Sequence, residues 1–367
     1  MSKQIIHSVP SWVVNPRPAN FKFGGGDPKA GYVKVSDRLK EVKSLGEELG
    51  LELRSSFHIG LEIRTSQPQY SELIDKPGAI GKDNLVKGIR SGRFPKVLAF
   101  TAPAFGYPGT ELGAFFHPDA NRRQMAEDLH VEAVSLALEF EEKGLGEGKT
   151  IIWPAGDGNP IKNIPKDLMV SNELIPKSKK WGQLRDGIVN VLRRVKTETG
   201  HERKMHIEFK PGDPVLDIIP TLALAIKFCN EVNKELGWKG LWLNNEWAHL
   251  LASGITVEDG TRRTNEAGLF DGFVHVNSGQ MLPVNLEQLL GKEVHAADVP
   301  VLMDWDLAVG DGSPTITEDL AKAVKILRQW DGETVFAEHD LHHFGADPIG
   351  YARFSITNIE AMWKVAA

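Results

Sequence analysis

The chain has 367 residues, one cysteine and 43 Lys plus Arg against 49 Asp plus Glu, a formal net charge of −6. Its 41% apolar and 25% charged residues are ordinary for a globular protein; no apolar run approaches the roughly 18 residues of a membrane helix, and no apolar leader follows Met1-Ser2-Lys3-Gln4. One cysteine excludes an internal disulfide and a Cys-based zinc site, and mild acidity argues against a dedicated nucleic-acid binder, so a cytoplasmic enzyme or small-molecule binder is the expectation.

Candidate strands lie at 20–24, 52–57, 96–101, 149–153, 205–209, 240–244, 272–277 and 334–340, with a further apolar run at 300–303. The Pro/Gly-rich patches at 15–30, 102–113 and 153–165 read as loops. None separates two compositionally distinct halves, so residues 1–367 read as one domain with loop insertions. Helical patterns occupy 35–49, 119–143 and 182–198. Ile218, Leu222, Ala225 and Cys229 step by four, three and four, an amphipathic face. Thr315 with Glu318 reads as a capping box ahead of Leu320, Val324 and Leu327. Eight strand–helix alternations predict a parallel sheet and favour a (β/α)8 TIM barrel. A doubly wound open sheet is the alternative, but no Gly-x-Gly-x-x-Gly follows the first strands.

In such a barrel, chemistry gathers at the C-terminal ends of the strands. The run 205–211 places Glu208 and Lys210 on one side by the two-residue period of a strand. The run 241–246 ends in Glu246, with His249 three residues on. The run 273–277 ends in His275 and Asn277, the run 301–306 in Asp304 and Asp306, and the run 335–340 in Glu338, His339 and Asp340. Each alone has a plain reading: Glu246 and His249 as a helix start, Asp304 and Asp306 as an Asx-turn, His275 as a satisfied core histidine. Together they describe acids crowded in a partly buried mouth, where each costs several kcal/mol to desolvate. A hard divalent cation would offset that cost, and oxygen-rich donors with an imidazole suit Mg²⁺ or Mn²⁺.

At these segments the sequence resembles xylose isomerase and its sugar-isomerase relatives. Glu208-Phe209-Lys210-Pro211-Gly212-Asp213-Pro214 is similar to that family's Glu-Pro-Lys-Pro-Asn-Glu-Pro. Asn245-Glu246-Trp247-Ala248-His249 is similar to its Asn-Pro-Glu-Val-Gly-His, and Phe273 to Gln280 to its Phe-His-Ile-Asp-Leu-Asn-Gly-Gln. Asp304-Trp305-Asp306-Leu307 resembles its Asp-Gln-Asp-Leu, and Asp340 falls where a last-strand aspartate is expected. Phe57-His58, Phe105 and Trp153 are weaker matches upstream.

The resemblance implies a TIM barrel without the long C-terminal arm of xylose isomerases, since few residues follow Asp340. It implies an aldose–ketose isomerase working by a metal-assisted 1,2-hydride shift, on a monosaccharide, with two divalent cations per subunit (Mg²⁺ or Mn²⁺, with Co²⁺ an alternative). Glu208, Glu246, Asp340 and Asn277 would hold the first cation; Glu246, His249, Asp304 and Asp306 the second. Lys210, His58 and Asp306 would be catalytic, with His58 assisting ring opening. Trp153, Phe105, Trp247 and His275 would face the sugar. A homodimer or homotetramer, with no nucleic acid and no membrane partner, is the implied assembly. The sequence departs from the pattern at Asn277, an Asp in the family, and after His58, where Ile59-Gly60-Leu61-Glu62 replaces three aspartates. It departs again after Trp153, where Pro154-Ala155-Gly156-Asp157-Gly158 replaces Gly-Gly-Arg-Glu-Gly. D-xylose is therefore one candidate beside another aldose, a deoxy sugar or a modified sugar. A sugar epimerase, a keto-sugar lyase and a non-catalytic sugar binder are the alternatives.

Overall fold

A computed structural model describes residues 3–14, 34–102, 114–154, 177–211, 218–279, 306–311, 314–341 and 347–366. The runs 20–24 and 300–303, and the candidate residues Phe105 and Asp304, lie outside them. Nine strands run in chain order: β1 (Gln4–Ser8), β2 (Arg54–His58), β3 (Lys96–Thr101), β4 (Gly146–Ile152), β5 (Met205–Ile207), β6 (Leu241–Leu243), β7 (Asn245–Glu246), β8 (Phe273–His275) and β9 (Thr334–Glu338). They form one sheet in the order β6-β5-β4-β3-β2-β1-β9-β8-β7, and every pairing is parallel.

The two ends of that order are adjacent in the chain. Only Asn244 separates β6 from β7, so the sheet curls round until its edges meet within one run, and nine strands make eight passes of a barrel. Asn244 stitches the seam in both directions. Its N–H donates to the Ile207 carbonyl at 3.0 Å on one side, and its side-chain oxygen accepts the His275 N–H at 3.0 Å on the other. An open sheet would leave two rows of unpaired backbone groups; closure removes them.

Ten helices are described: α1 (Val35–Leu49), α2 (Pro68–Ile74), α3 (Lys82–Arg90), α4 (Ala120–Glu142), α5 (Lys177–Thr199), α6 (Leu222–Leu236), α7 (Trp247–Ala252), α8 (Val257–Glu266), α9 (Pro314–Gln329) and α10 (Pro348–Val365). Helix α1 shows why they form where they do. Val35, Leu39, Val42 and Leu45 lie on one buried face, and Gly50 ends the helix at φ 67°, a left-handed turn that glycine takes without strain.

Three expectations shift. The first strand is Gln4–Ser8, a run with only two apolar residues, whose His7 and Ser8 are buried because they find polar partners. Helix α6 begins at Leu222, capped by the Thr221 hydroxyl accepting the Leu224 N–H, so Ile218 is buried ahead of the helix and not on its face. Helix α9 is described over Pro314–Gln329, so Thr315 lies inside the helix and is not its cap. Helix α10, absent from the expected elements, starts at Pro348, as α2 starts at Pro68, a position where proline's missing N–H would have no helical partner, with Asp347 accepting the Gly350 N–H at 2.7 Å.

The two ends of the barrel differ in charge balance. At the N-terminal end Asp271 accepts from Lys149 at 2.8 Å, lies 2.9 Å from His206 Nε2, and has Lys204 at 3.4 Å. Burial opposes its charge, but His206 and Lys149 outweigh burial and hold the carboxyl well below the usual range. At the C-terminal end acids are in excess, and that end carries the site.

Candidate metal centre

Parallel register sets one level of the mouth. Glu246 pairs with His275, His275 with Glu338, and Glu338 with Ser8, on four neighbouring strands. The two-residue period then carries Asn277 and Asp340 to the same faces as His275 and Glu338, one step further out. Glu208 follows β5 directly, and α7 starts at Trp247, so His249 lies in its first turn. Asp306 arrives on the loop ahead of α9.

His275 is the hub. Its Nδ1 lies 2.6 Å from Glu246 Oε2, 3.0 Å from Glu208 Oε2 and 3.9 Å from Asp340 Oδ2. Its Nε2 lies 3.2 Å from Glu338 Oε1. Glu208 also approaches His249 Nδ1 at 3.6 Å and accepts from the Asn244 amide at 3.3 Å. Glu208, Glu246, His249, His275, Glu338 and Asp306 are all buried.

Burial favours the neutral form of a carboxyl. At Glu246 burial and the charges of Asp306 and Glu208 push the carboxyl well above its ordinary range. At Glu208 burial acts the same way, but His275, His249 and Lys210 outweigh it and the carboxyl is lowered. His275 is raised well above an ordinary imidazole, because Glu208 and Glu246 outweigh its burial. One imidazolium cannot balance three acids within 3.9 Å of a single ring nitrogen. A divalent cation can.

The donors fit such an ion. Glu208, Glu246 and His249 form one set with donor atoms within 4.8 Å of one another, and Glu246, His275 and Asp340 form a second. Glu246 belongs to both. Carboxylate oxygens with one imidazole per set match hard or borderline divalent ions.

The expected site residues come out unevenly. Glu208, Glu246, His249 and Asp340 converge, but in a different grouping from the one the resemblance implied: Glu208 joins His249, and Asp340 joins His275, each with Glu246; Asp306 is buried with its charge acting on Glu246. Lys210 is half-buried at the same rim, close enough for its charge to act on Glu208. His275, expected to face the sugar, sits inside the acid cluster. Asn277 directs its polar atoms at protein groups: its oxygen accepts the Ala248 N–H at 2.8 Å, and its nitrogen donates to Glu246 and, at 3.1 Å, to the Asp340 carbonyl. It steadies Glu246, and His275 stands where a ligand was expected of Asn277. Trp247 is fully buried in the core shared by the barrel and outer helices, so it does not wall the mouth.

Trp12 is a rim aromatic that the sequence reading did not single out, because the strand ahead of it, β1, was not among the expected strands. Its ring lies 4.2 Å from His58, 6.3 Å from Trp153, and its indole N–H donates to Asp340 Oδ1 at 2.8 Å. Trp153 stacks on His58 at 5.1 Å. Glu338 was also legible, since it lies two residues before Asp340 on a strand; what hid it was the choice of Asp340 as the last ligand. Its Oε2 accepts from the Ser8 hydroxyl at 2.8 Å and from the Ser56 hydroxyl. This carboxylate, held by two hydroxyls, stands 3.2 Å from the far nitrogen of His275 as a charge contact that is not aligned as a hydrogen bond.

Glu62 takes the place of the aspartate missing beside His58. Its Oε2 lies 2.7 Å from His58 Nδ1 and accepts the His58 backbone N–H at 2.9 Å; Arg38 is 3.7 Å from the other oxygen. Burial would raise this carboxyl, but His58 and Arg38 outweigh burial and it is lowered from 4.5. A depressed carboxyl stabilises the fold above its unfolded pKa and loses that contribution as pH falls through the folded value. Glu62→Gln is therefore expected to lower the unfolding temperature at pH 7, with the gap to wild type closing below about pH 4.5. Thermal melts across pH check this, and a gap that widens in acid would be the wrong sign.

No protein-family model matches the chain, and no curated protein matches it. Solved structures do. An L-ribulose 3-epimerase superposes with TM-score 0.58 at 12% identity over 100% of this chain and 96% of its own. A xylose isomerase-like TIM barrel protein from Mycobacterium smegmatis, in complex with magnesium, gives 0.53 at 12% over 99% and 97%. An IOLI protein with a bound zinc atom gives 0.52 at 16% over 99% and 97%. The chain has the xylose isomerase-like TIM-barrel fold. Among the described residues no helix is long and apolar enough to cross a membrane.

Proposed function

We propose that this chain is a divalent-metal-dependent aldose–ketose isomerase acting on a monosaccharide by a 1,2-hydride shift. The observation that carries the reading is the convergence of Glu208, Glu246, His249, His275 and Asp340 in two donor sets that share Glu246. Bound divalent cations would supply Lewis acidity, polarising adjacent sugar oxygens and lowering the pKa of a neighbouring hydroxyl. Glu246, His275 and Asp340 would hold one, and Glu208, Glu246 and His249, with Asp306 alongside, the other.

The chain's own groups do the rest. Glu62 engages His58 Nδ1, which leaves Nε2 as the proton acceptor for opening a cyclic sugar. Lys210 at the rim is a point charge for the oxygen on which negative charge develops. Trp12 and Trp153 flank His58 and cover the reacting carbons, so a migrating hydrogen does not exchange with water.

The second reading is a sugar epimerase, the function named for several solved structures of this fold. The two carboxylates on His275 Nδ1, Glu208 and Glu246, favour it, because removing and returning a proton at carbon needs an acid–base pair.

One experiment separates them. The protein is stripped with chelator, reloaded with Mg²⁺ or Mn²⁺, and given aldoses and ketoses in D₂O under NMR. Activity should vanish without metal and return with it. Aldose–ketose exchange that keeps the migrating hydrogen supports the isomerase. Inversion with deuterium uptake supports the epimerase. Full activity in stripped protein, or sugar binding without conversion of any sugar tested, overturns both.

A further inference from the structure

Five backbone groups of the loop that carries Asp306, at Leu307, Ala308 and Val309, are hydrogen-bonded by two flanking elements. On its inner side Leu307 exchanges two backbone hydrogen bonds with Ser278, at 2.7 and 2.8 Å, next to the Asn277 that holds Glu246. On its outer side the partners come from α10, far along the chain. The Tyr351 hydroxyl accepts the Ala308 N–H at 2.9 Å and donates to Asp311 at 2.7 Å. The Ser355 hydroxyl accepts the Val309 N–H at 3.1 Å, and the Asn358 amide donates to the Val309 carbonyl at 2.9 Å. Gly310 follows at φ 93°, and a Cβ there would come within 2.5 Å of the Asn358 amide nitrogen.

Tyr351, Ser355 and Asn358 step by four and three, so they form one stripe on the helix. The same stripe reaches the last strand: Ser355 Oγ lies 2.8 Å from His339 Nδ1, and His339 Nε2 lies 2.9 Å from His7 Nδ1. Strand β9 therefore turns Glu338 inward to the site and His339 outward to α10. Ala308 and Val309 are fully buried, so an unpaired backbone N–H at either would be costly.

We propose that Tyr351, Ser355 and Asn358 of the terminal helix are positioning residues that set Asp306 against Glu246, so that α10 completes one half of the metal centre without touching it. The inference rests on the metal-centre reading above. It assigns a function-linked role to a helix at the barrel's outside, and it explains why three polar side chains on that helix are spent on one short loop.

Mn²⁺ titration by electron paramagnetic resonance and calorimetry, on the full chain, tests it. The variants are Tyr351→Phe, which keeps the ring, Asn358→Ala, which removes one donor, and Asp306→Asn as the reference. Asp306→Asn should weaken the more weakly held Mn²⁺, and Tyr351→Phe or Asn358→Ala should weaken the same step by about 10-fold or more, the size of effect seen when support for a ligand is lost. Metal-free melts of the single variants should stay within a few degrees of wild type. Tyr351→Phe added to Asp306→Asn should have no further effect on Mn²⁺, because both act on one group. Two results overturn the proposal while leaving the metal centre standing: unchanged Mn²⁺ binding in both α10 variants, or additive losses in the double variant. Normal Mn²⁺ binding by Asp306→Asn overturns it too. If wild type binds no Mn²⁺, the functional reading falls and takes this inference with it. Should Tyr351→Phe fail to fold, Asn358→Ala carries the same comparison.

Discussion

Glu246→Gln is expected to stabilise the metal-free protein and to abolish its response to metal. Glu246 is buried among Asp306, Glu208 and Asn277, and its carboxyl is pushed well above the ordinary 4.5. A carboxyl raised in the fold favours the folded state when protonated. That contribution is complete below about pH 4.5 and is lost as pH rises through the folded value. Wild type without metal therefore loses stability toward neutral pH, and the neutral glutamine does not. The expected gain at pH 7 is roughly 1 kcal/mol, or about 1–2 °C for a chain of this size. With Mn²⁺ the order reverses. A ligand at 100 times its Kd adds about 2.7 kcal/mol to wild type. The variant, having lost the residue common to both donor sets, should bind Mn²⁺ more than about 100-fold more weakly, beyond what losing a mere supporting residue costs. Calorimetric melts with and without Mn²⁺ read both signs. A variant that is less stable without metal, or still stabilised by it, would contradict the electrostatic account.

Glu338→Ala is expected to be the most damaging single change in the mouth. It strips the acceptor from Ser8 and Ser56 and the partner from His275 Nε2, all on a fully buried residue. Breaking a buried charged pair by deleting one member costs about 3–5 kcal/mol. Glu338→Gln keeps the volume and one acceptor oxygen, so most of the stability should return. What should not return is metal affinity, because the amide removes the negative charge 3.2 Å from His275 Nε2; a loss of about 10–100-fold is the expected scale. Melts and Mn²⁺ titrations on the pair of variants separate packing from positioning. Equal Mn²⁺ affinity in Glu338→Gln and wild type would leave Glu338 as a packing residue only.

The carboxylates were legible because a strand's two-residue period and the barrel's C-terminal mouth together mark any apolar run that ends in acid. Glu208, Glu246 and Asp340 each end such a run. His275 was misjudged because its meaning depends on neighbours that no single run contains: Glu208, Glu246 and Glu338 come from the ends of three other strand runs. Trp12 was missed for a different reason. Strand β1 is short and polar, and its burial is made tolerable by Glu338 and His339, partners more than 300 residues away.

By itself the sequence determined the parallel α/β plan and the acids that end its strands, because hydrophobic period and turn chemistry are local properties of the chain. The tertiary structure alone decided which acids meet, that the sheet closes at Asn244, and that α10 braces the Asp306 loop. Those depend on register between strands and on which buried groups find partners. Both are settled only when distant segments pack and every polar atom taken out of water must find its complement.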